Sequence, residues 1–179
     1  MKNRNDHRVG YKKTKVGWIP EDWKCGNFSE IAVIMMGQSP DGKNYNRNKE
    51  GLPLINGPTE FTRRYPLKKQ WTINPTKICK PGDILLCVRG SSTGRVNIAD
   101  CPYCIGREIA AVSEKKSRGF SSFVEHTLSS ITGRILRLSS GSTFPNLDKK
   151  NLSNILIAIP PLLEQKKIAE ILSAWDETI

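Results

Sequence analysis

Long apolar runs are missing from this sequence: no stretch approaches the ~20 apolar residues of a membrane span, and residues 1–15, MKNRNDHRVGYKKTK, are too polar and basic for a secretory leader or membrane anchor. A soluble, cytoplasmic chain is expected. Histidine is scarce, with only His7 and His126, so a nucleophile–histidine–acid triad would have to be built on His126 alone. Paired motif carboxylates, H-E-x-x-H, a dinucleotide-binding glycine fingerprint, the G-x-x-x-x-G-K-[ST] phosphate loop and methyltransferase-like motifs are all absent. No metal or cofactor is expected. Acidic residues are outnumbered, 17 Asp and Glu against 28 Lys and Arg, and the net charge of +11 points to a polyanionic partner, nucleic acid first. At 179 residues the chain is long enough for one domain with a proper core plus an appendage.

The cysteines, at 25, 79, 87, 101 and 104, are odd in number, and a chain of this size does not require staples, so they are expected to be reduced. Cys101-Pro102-Tyr103-Cys104 matches the CPYC tetrad of glutaredoxin-like dithiol oxidoreductases, and redox catalysis is carried as an alternative. Its context argues against it. A dithiol site lowers its thiol pKa at a helix N-terminus early in the chain, whereas Gly106 and a strand-like run follow here. A structural zinc site would need a second pair of ligands that the sequence does not supply.

Residues 1–15 read as a poorly ordered basic arm. WIPEDW at 18–23 reads as an aromatic anchor that docks the start of the chain onto the core. Strands are expected at 52–55, 84–89, 95–99 and 109–112, a helix at 121–130, and a short mixed segment at 133–138. The polar segment 38–52, QSPDGKNYNRNKEGL, is too long for a tight turn and carries side chains able to reach base edges and phosphates. Basic pairs around Tyr65 and the glycine-flanked hydroxyl loop at 90–94 add further candidates.

Residues 141–175, GSTFPNLDKKNLSNILIAIPPLLEQKKIAEILSAW, hold the strongest signal: a Gly/Ser/Pro/Asn-rich loop, a polar helix start, an apolar strand at 155–159, a Pro-Pro stop and an amphipathic helix. Ile168, Ile171, Leu172, Trp175 and Ile179 recur at helical spacing on one face. Gly141, Ser142, Pro145, Leu147, Lys149, Leu152, Ile155, Ile157, Ile159, Pro160, Pro161, Leu162, Glu164, Gln165, Ile168, Ala169 and Leu172 together resemble the junction of type I restriction-modification specificity (S) subunits, where a target-recognition domain passes into a long helix. PGDILLCVRGSSTGRV at 81–96 and GWIPEDWKCGNFSEI at 17–31 are weaker echoes of the same family.

The resemblance implies an α+β chain: an irregular, mostly-β target-recognition domain at 17–160, preceded by the basic arm at 1–16 and followed at 161–179 by the start of a spacer helix. It implies a non-catalytic module that reads one half of a bipartite target in double-stranded DNA. Its partners would be methyltransferase (M) subunits, restriction (R) subunits through the assembly, and a second recognition domain or second copy of the chain. A general protein-interaction domain is the remaining alternative. Ile168, Ile171, Leu172, Trp175 and Ile179 are the expected interface. Recognition residues differ with target, so DNA contacts are read from side-chain chemistry alone. They are Gln38, Ser39, Lys43, Tyr45, Asn46, Arg47 and Lys49; Asn56, Thr59, Arg63, Arg64, Lys68 and Lys69; Arg89, Ser91, Thr93 and Arg95; and Ser142 with Thr143.

Overall fold

The computed structural model describes residues 8–138 and 146–176, with side chains except at 134–138 and 176. Ser142, Thr143 and Ile179 therefore lie outside the described residues. In chain order the elements are β1 (Tyr11–Thr14), β2 (Gly17–Pro20), β3 (Lys24–Asn27), β4 (Ala32–Met36), β5 (Tyr45–Asn46), β6 (Leu52–Ile55), β7 (Trp71–Thr72), β8 (Ile78–Cys79), β9 (Ile84–Cys87), β10 (Val96–Ile98), β11 (Tyr103–Ile105), β12 (Ile109–Glu114), α1 (Ser121–Leu138), α2 (Lys149–Ser153), β13 (Leu156–Ile159) and α3 (Leu162–Asp176).

Two sheets stack. The first runs β10-β9-β12-β4, all antiparallel; the second runs β5-β7-β6-β11-β8, where β6 and β11 are parallel. Strand β9, ILLC, is buried at every position because it sits inside a three-layer stack. Ile84 and Leu86 face Val124, Leu128 and Ile131 of α1, while Leu85 and Cys87 face Ile55, Tyr103 and Ile105 of the second sheet. A strand covered on both faces reads as an unbroken apolar run rather than an alternating one. The α+β, mostly-β architecture with a C-terminal helix is thus as expected, and the strands anticipated at 52–55, 84–89, 95–99 and 109–112 all form.

Three local expectations are corrected. Residues 11–14 of the arm expected to be poorly ordered form β1, paired in register with β2 across a turn at 15–16, and Gly17 opens β2 at φ +106°. The helix expected to stop at 130 runs on through Gly133 to Leu138. An interior glycine costs about 1 kcal/mol, but buried Ile131 continues the face begun by Val124 and Leu128 and outweighs it. The 38–52 segment has structure of its own: a single 3-10 turn at Gly42–Asn44, capped by Asp41, then β5.

The end of the chain is bolted to this body. Strand β13 pairs antiparallel with β3, and α3 packs against α1. Gln165, 1 % exposed, accepts from the Phe120 N–H at 3.0 Å and donates to the Arg118 and Pro160 carbonyls, both at 3.0 Å. Trp23 donates through Nε1 to Glu164 at 2.8 Å, which gives the WIPEDW anchor its partner. Ala169 is buried beneath the same face. The cysteines are all free thiols. Among the described residues no helix is long and apolar enough to cross a membrane.

Candidate nucleic-acid interface

The strand register brings four loops to one end of the stack. Met36 pairs with Ala110 and Cys87 with Ile109, so the exits of β4 and β9 and the entry of β12 lie side by side. The second sheet joins them there: Gly106 N–H donates to the Ile55 carbonyl at 2.8 Å and Gln38 N–H to the Ile105 carbonyl at 2.9 Å. Residues 37–40, 56–60, 88–95 and 106–108 therefore converge.

Glycine makes that convergence possible. A Cβ at Gly37 would lie 2.2 Å from the Gly106 carbonyl oxygen, one at Gly57 would lie 2.6 Å from a Glu108 carboxylate oxygen, and one at Gly106 would lie 2.5 Å from Asn56 Oδ1. At Gly37 the obstacles are backbone carbonyls and at Gly106 they include Asn56 Cα at 2.9 Å, so the backbones approach there only because these side chains are absent, whereas Gly57 faces only the end of the Glu108 side chain. The loops are held together by hydrogen bonds, and they place polar groups on that base.

On this base Ser39 Oγ accepts from the Arg107 N–H at 3.1 Å. Tyr45 Oη reaches the Pro40 carbonyl at 3.1 Å and Asn56 Oδ1 at 3.4 Å, and Asn56 Nδ2 donates to Gln70 Oε1 at 3.3 Å. The Gln38 carbonyl accepts from the Thr76 hydroxyl, leaving its side chain exposed. Beyond the β9 exit, Arg89, Ser91 and Arg95 are exposed on a hairpin closed by Gly94 N–H to the Cys87 carbonyl at 2.8 Å. Arg89, Arg95 and Arg107 make no ion pair among the described residues, so their charge is free for a ligand.

Other expected contacts are spent elsewhere. Thr93 is 3 % exposed and donates to the Gly90 carbonyl at 2.7 Å, shaping the hairpin from inside. Asn46 closes its own turn, donating to the Glu50 carbonyl at 2.9 Å and accepting from the Glu50 N–H at 3.1 Å. Lys43 pairs with Asp41 at 3.1 Å, while Arg47 and Lys49 are exposed on that same turn. Lys69 donates to the Thr59 carbonyl at 2.9 Å, tying the two arms of the 56–70 excursion together.

Arg63, Arg64 and Lys68 stand apart from the loop end, on a flank that runs beside β10, where Ile98 N–H donates to the Arg64 carbonyl at 2.8 Å. Arg64 pairs with Glu125 of α1 and Lys68 with Asp100, each at 3.3 Å. The Lys68 hydrogen bond to Asp100 raises the lysine pKa, and hydrogen bonds from Tyr103 and Lys68 lower that of Asp100. Arg63 lines a crevice with Ser122, Ser129 and Ser173. Sequence reasoning missed Gln70 and Arg107. The signal for both was a chain neighbour: Gly106 before Arg107, and buried Trp71 after Gln70.

The interface stripe on α3 is divided. Ile168 is half-buried against the core and Leu172 borders a groove with Phe123, His126 and Ile157, whereas Ile171 is 60 % and Trp175 71 % exposed. At 100° per residue Ile168 and Ile171 stand about 100° and about 160° round the helix from Ala169 on the same side, so the stripe is turned about a quarter or more away from the docking face. Leu163, 79 % exposed, shares that outer side.

The CPYC segment has the wrong setting for redox chemistry. Cys104 is fully buried in β11, and no helix begins at Cys101. Burial pushes the Cys79 thiol up to about 12 and the Cys87 thiol upward as well. Among the described residues no group of His, Cys, Asp or Glu could hold a metal ion.

The described residues form a β stack with polar, cation-bearing loops gathered at one end and α3 packed against α1. The chain belongs to the family described as the type I restriction modification DNA specificity domain, whose model matches residues 20–179. It is 41% identical over 172 residues to a specificity subunit proposed for the MjaX type I restriction enzyme of Methanocaldococcus jannaschii, covering 94% of this chain and 40% of that protein. It is 30% identical over 169 residues to the EcoKI specificity subunit of Escherichia coli K12, covering 86% and 36% respectively. The crystal structure of the HsdS subunit from Thermoanaerobacter tengcongensis superposes with a TM-score of 0.80 at 30% identity, over 94% of this chain and 41% of that one. The chain thus spans about two fifths of the relatives it matches.

Proposed function

We propose that this chain is a DNA sequence-specificity module of a type I restriction-modification system. It reads one half of a two-part target in double-stranded DNA, while methylation and restriction reside on partner subunits. The observation that carries this reading is the loop end, where Arg89, Arg95 and Arg107 accompany neutral donors and acceptors on loops brought close together at Gly37 and Gly106. Cations of this kind hold phosphates, and the neutral side chains between them face base edges. Of the residues expected from the sequence, Gln38, Arg89, Ser91 and Arg95 are exposed for contact at this end, while Ser39, Tyr45 and Asn56 hold its hydrogen-bonded base. Residues 17–160 form the reading body and 161–179 begin the spacer helix, whose outer face of Leu163, Ile171 and Trp175 docks a methyltransferase subunit or the second spacer helix.

Co-expression with the methyltransferase subunits of its own system, followed by mapping of methylated adenines, tests the proposal. A single two-part methylation motif is expected, and exchange of residues 17–160 for those of another family member should change one half of it. Methylation independent of this chain, or a motif unmoved by the exchange, overturns the reading.

A further inference from the structure

The hydrogen-bond chain at the loop end has a direction, and the direction assigns a role to its last member. Asn56 Oδ1 lies where a Cβ on Gly106 would be only 2.5 Å away, so the Gly106 Cα hydrogens point at it. An oxygen accepts such a contact, whereas an amide nitrogen there would set its own hydrogens against them. Tyr45 shares its one hydroxyl hydrogen between the Pro40 carbonyl at 3.1 Å and Asn56 Oδ1 at 3.4 Å, so Asn56 holds its oxygen toward Tyr45 and Gly106 and its Nδ2 toward Gln70. Because Nδ2 can only donate, Gln70 must meet it with Oε1. The Nε2 group of Gln70 is left pointing away, with two donors and no partner among the described residues. No fully buried side-chain nitrogen or oxygen lacks a partner among the described residues, so this nitrogen reaches solvent.

The backbone on either side is equally fixed. Leu54 N–H donates to the Gln70 carbonyl at 2.9 Å, and Trp71, buried, pairs with Pro53 and Asn46. Gln70 thus presents a neutral, oriented donor pair from the entry of a strand, beside a loop end whose cations are better suited to phosphate. An oriented neutral amide discriminates by hydrogen-bond polarity, which is what reading a base edge requires and holding a phosphate does not.

We propose that Gln70 is a specificity-determining residue that donates from Nε2 to an acceptor on a base edge in the major groove, with Tyr45 and Asn56 as positioning residues that keep its amide from turning over. The acceptor is of the kind offered by guanine O6 or N7, adenine N7 or thymine O4. This rests on the DNA-specificity reading above and goes beyond it by naming the reader and the polarity of the contact.

The test is the methylation motif written by wild type and by variants of the full protein co-expressed with its methyltransferase subunits. Gln70→Glu replaces the donors by an acceptor of the same shape and should change the preferred base at one position of one half-site, toward a base offering an amino group. Gln70→Met should make the same position degenerate. Tyr45→Phe, which frees the amide to rotate, should weaken discrimination at that position about fivefold or more while leaving the others intact. A motif unchanged in both Gln70 variants overturns the inference and leaves the specificity reading standing. Uniform loss of methylation across all sites in both variants, with the protein folded, also overturns it, because that is the signature of a phosphate contact. A wild-type protein that directs no motif removes the reading on which it rests.

Discussion

The two ends of this domain are built from the same materials and used in opposite ways. At the α3 junction, Gln165 satisfies one N–H and two carbonyls and is itself sealed from solvent. At the loop end, Gln70 spends only its oxygen on the protein and leaves its nitrogen outward. One glutamine is a bolt and the other presents a hand. The difference teaches where stability and recognition separate: an amide whose polar atoms are consumed internally contributes to folding, and one that is half consumed is oriented for something else. The junction couples the body to α3 through buried polar contacts, and the loop end leaves polar groups exposed on a hydrogen-bonded base.

Substitutions that strike the comparison hardest should act on stability. Gln165→Leu leaves the Phe120 N–H and the Arg118 and Pro160 carbonyls without this partner, and should cost about 2–4 kcal/mol, read as a lowered denaturant midpoint at constant slope. A midpoint unmoved by the change would mean that the junction is not a bolt at all. Gly37→Ala forces a Cβ against the Gly106, Ile109 and Ile105 carbonyl oxygens, and should cost about 1–3 kcal/mol; calorimetry should show a lower Tm together with weakened DNA binding.

The remaining substitutions should leave folding intact and sharpen the contrast. Arg95→Ala and Arg107→Ala should each change stability by less than about 0.5 kcal/mol. Each should also lower the slope of log K against log salt for duplex binding by roughly one. Trp175→Asp should keep the melting temperature, since that side chain stands off the body, and should abolish assembly with partner subunits in size-exclusion chromatography.

The smallest effect concerns the buried thiols. The Cys79 pKa is raised to about 12 by burial, so folding holds the thiol protonated. Its contribution to stability is complete below the unfolded thiol pKa of ~8.5 and is lost as pH climbs from there toward 12. Cys79, Cys87 and Cys104 should resist a thiol reagent in the native protein, and only Cys25 and Cys101 should react at pH 8.

What could be read from the sequence follows the same division. The junction was legible because packing fixes residue identity: the paired prolines, Glu164, Gln165 and Ala169 each have one geometric task, so their order forms a pattern. Strand β9 was legible because burial on both faces leaves only apolar choices. The loop end was half legible. Its glycines and polar runs marked the place, yet exposure, partner and orientation decide which side chain is available, and those depend on contacts between segments far apart in the chain. Thr93 and Asn46 look like ligands in sequence and turn out to be internal staples, whereas Gln70 and Arg107 look ordinary and are held outward by Asn56 and Ser39. The α3 stripe was legible in spacing, but which of its members is buried (Ile168) and which exposed (Ile171) could not be assigned until the docking face at Gln165 and Ala169 was known.

Hydrogen exchange of the assembled protein, with and without a duplex carrying its methylation motif, tests the division most directly. Bound DNA should slow exchange in residues 37–39, 56–60, 89–95 and 106–108 and leave 162–176 unchanged. Protection that falls on the helix and spares those loops would contradict the account.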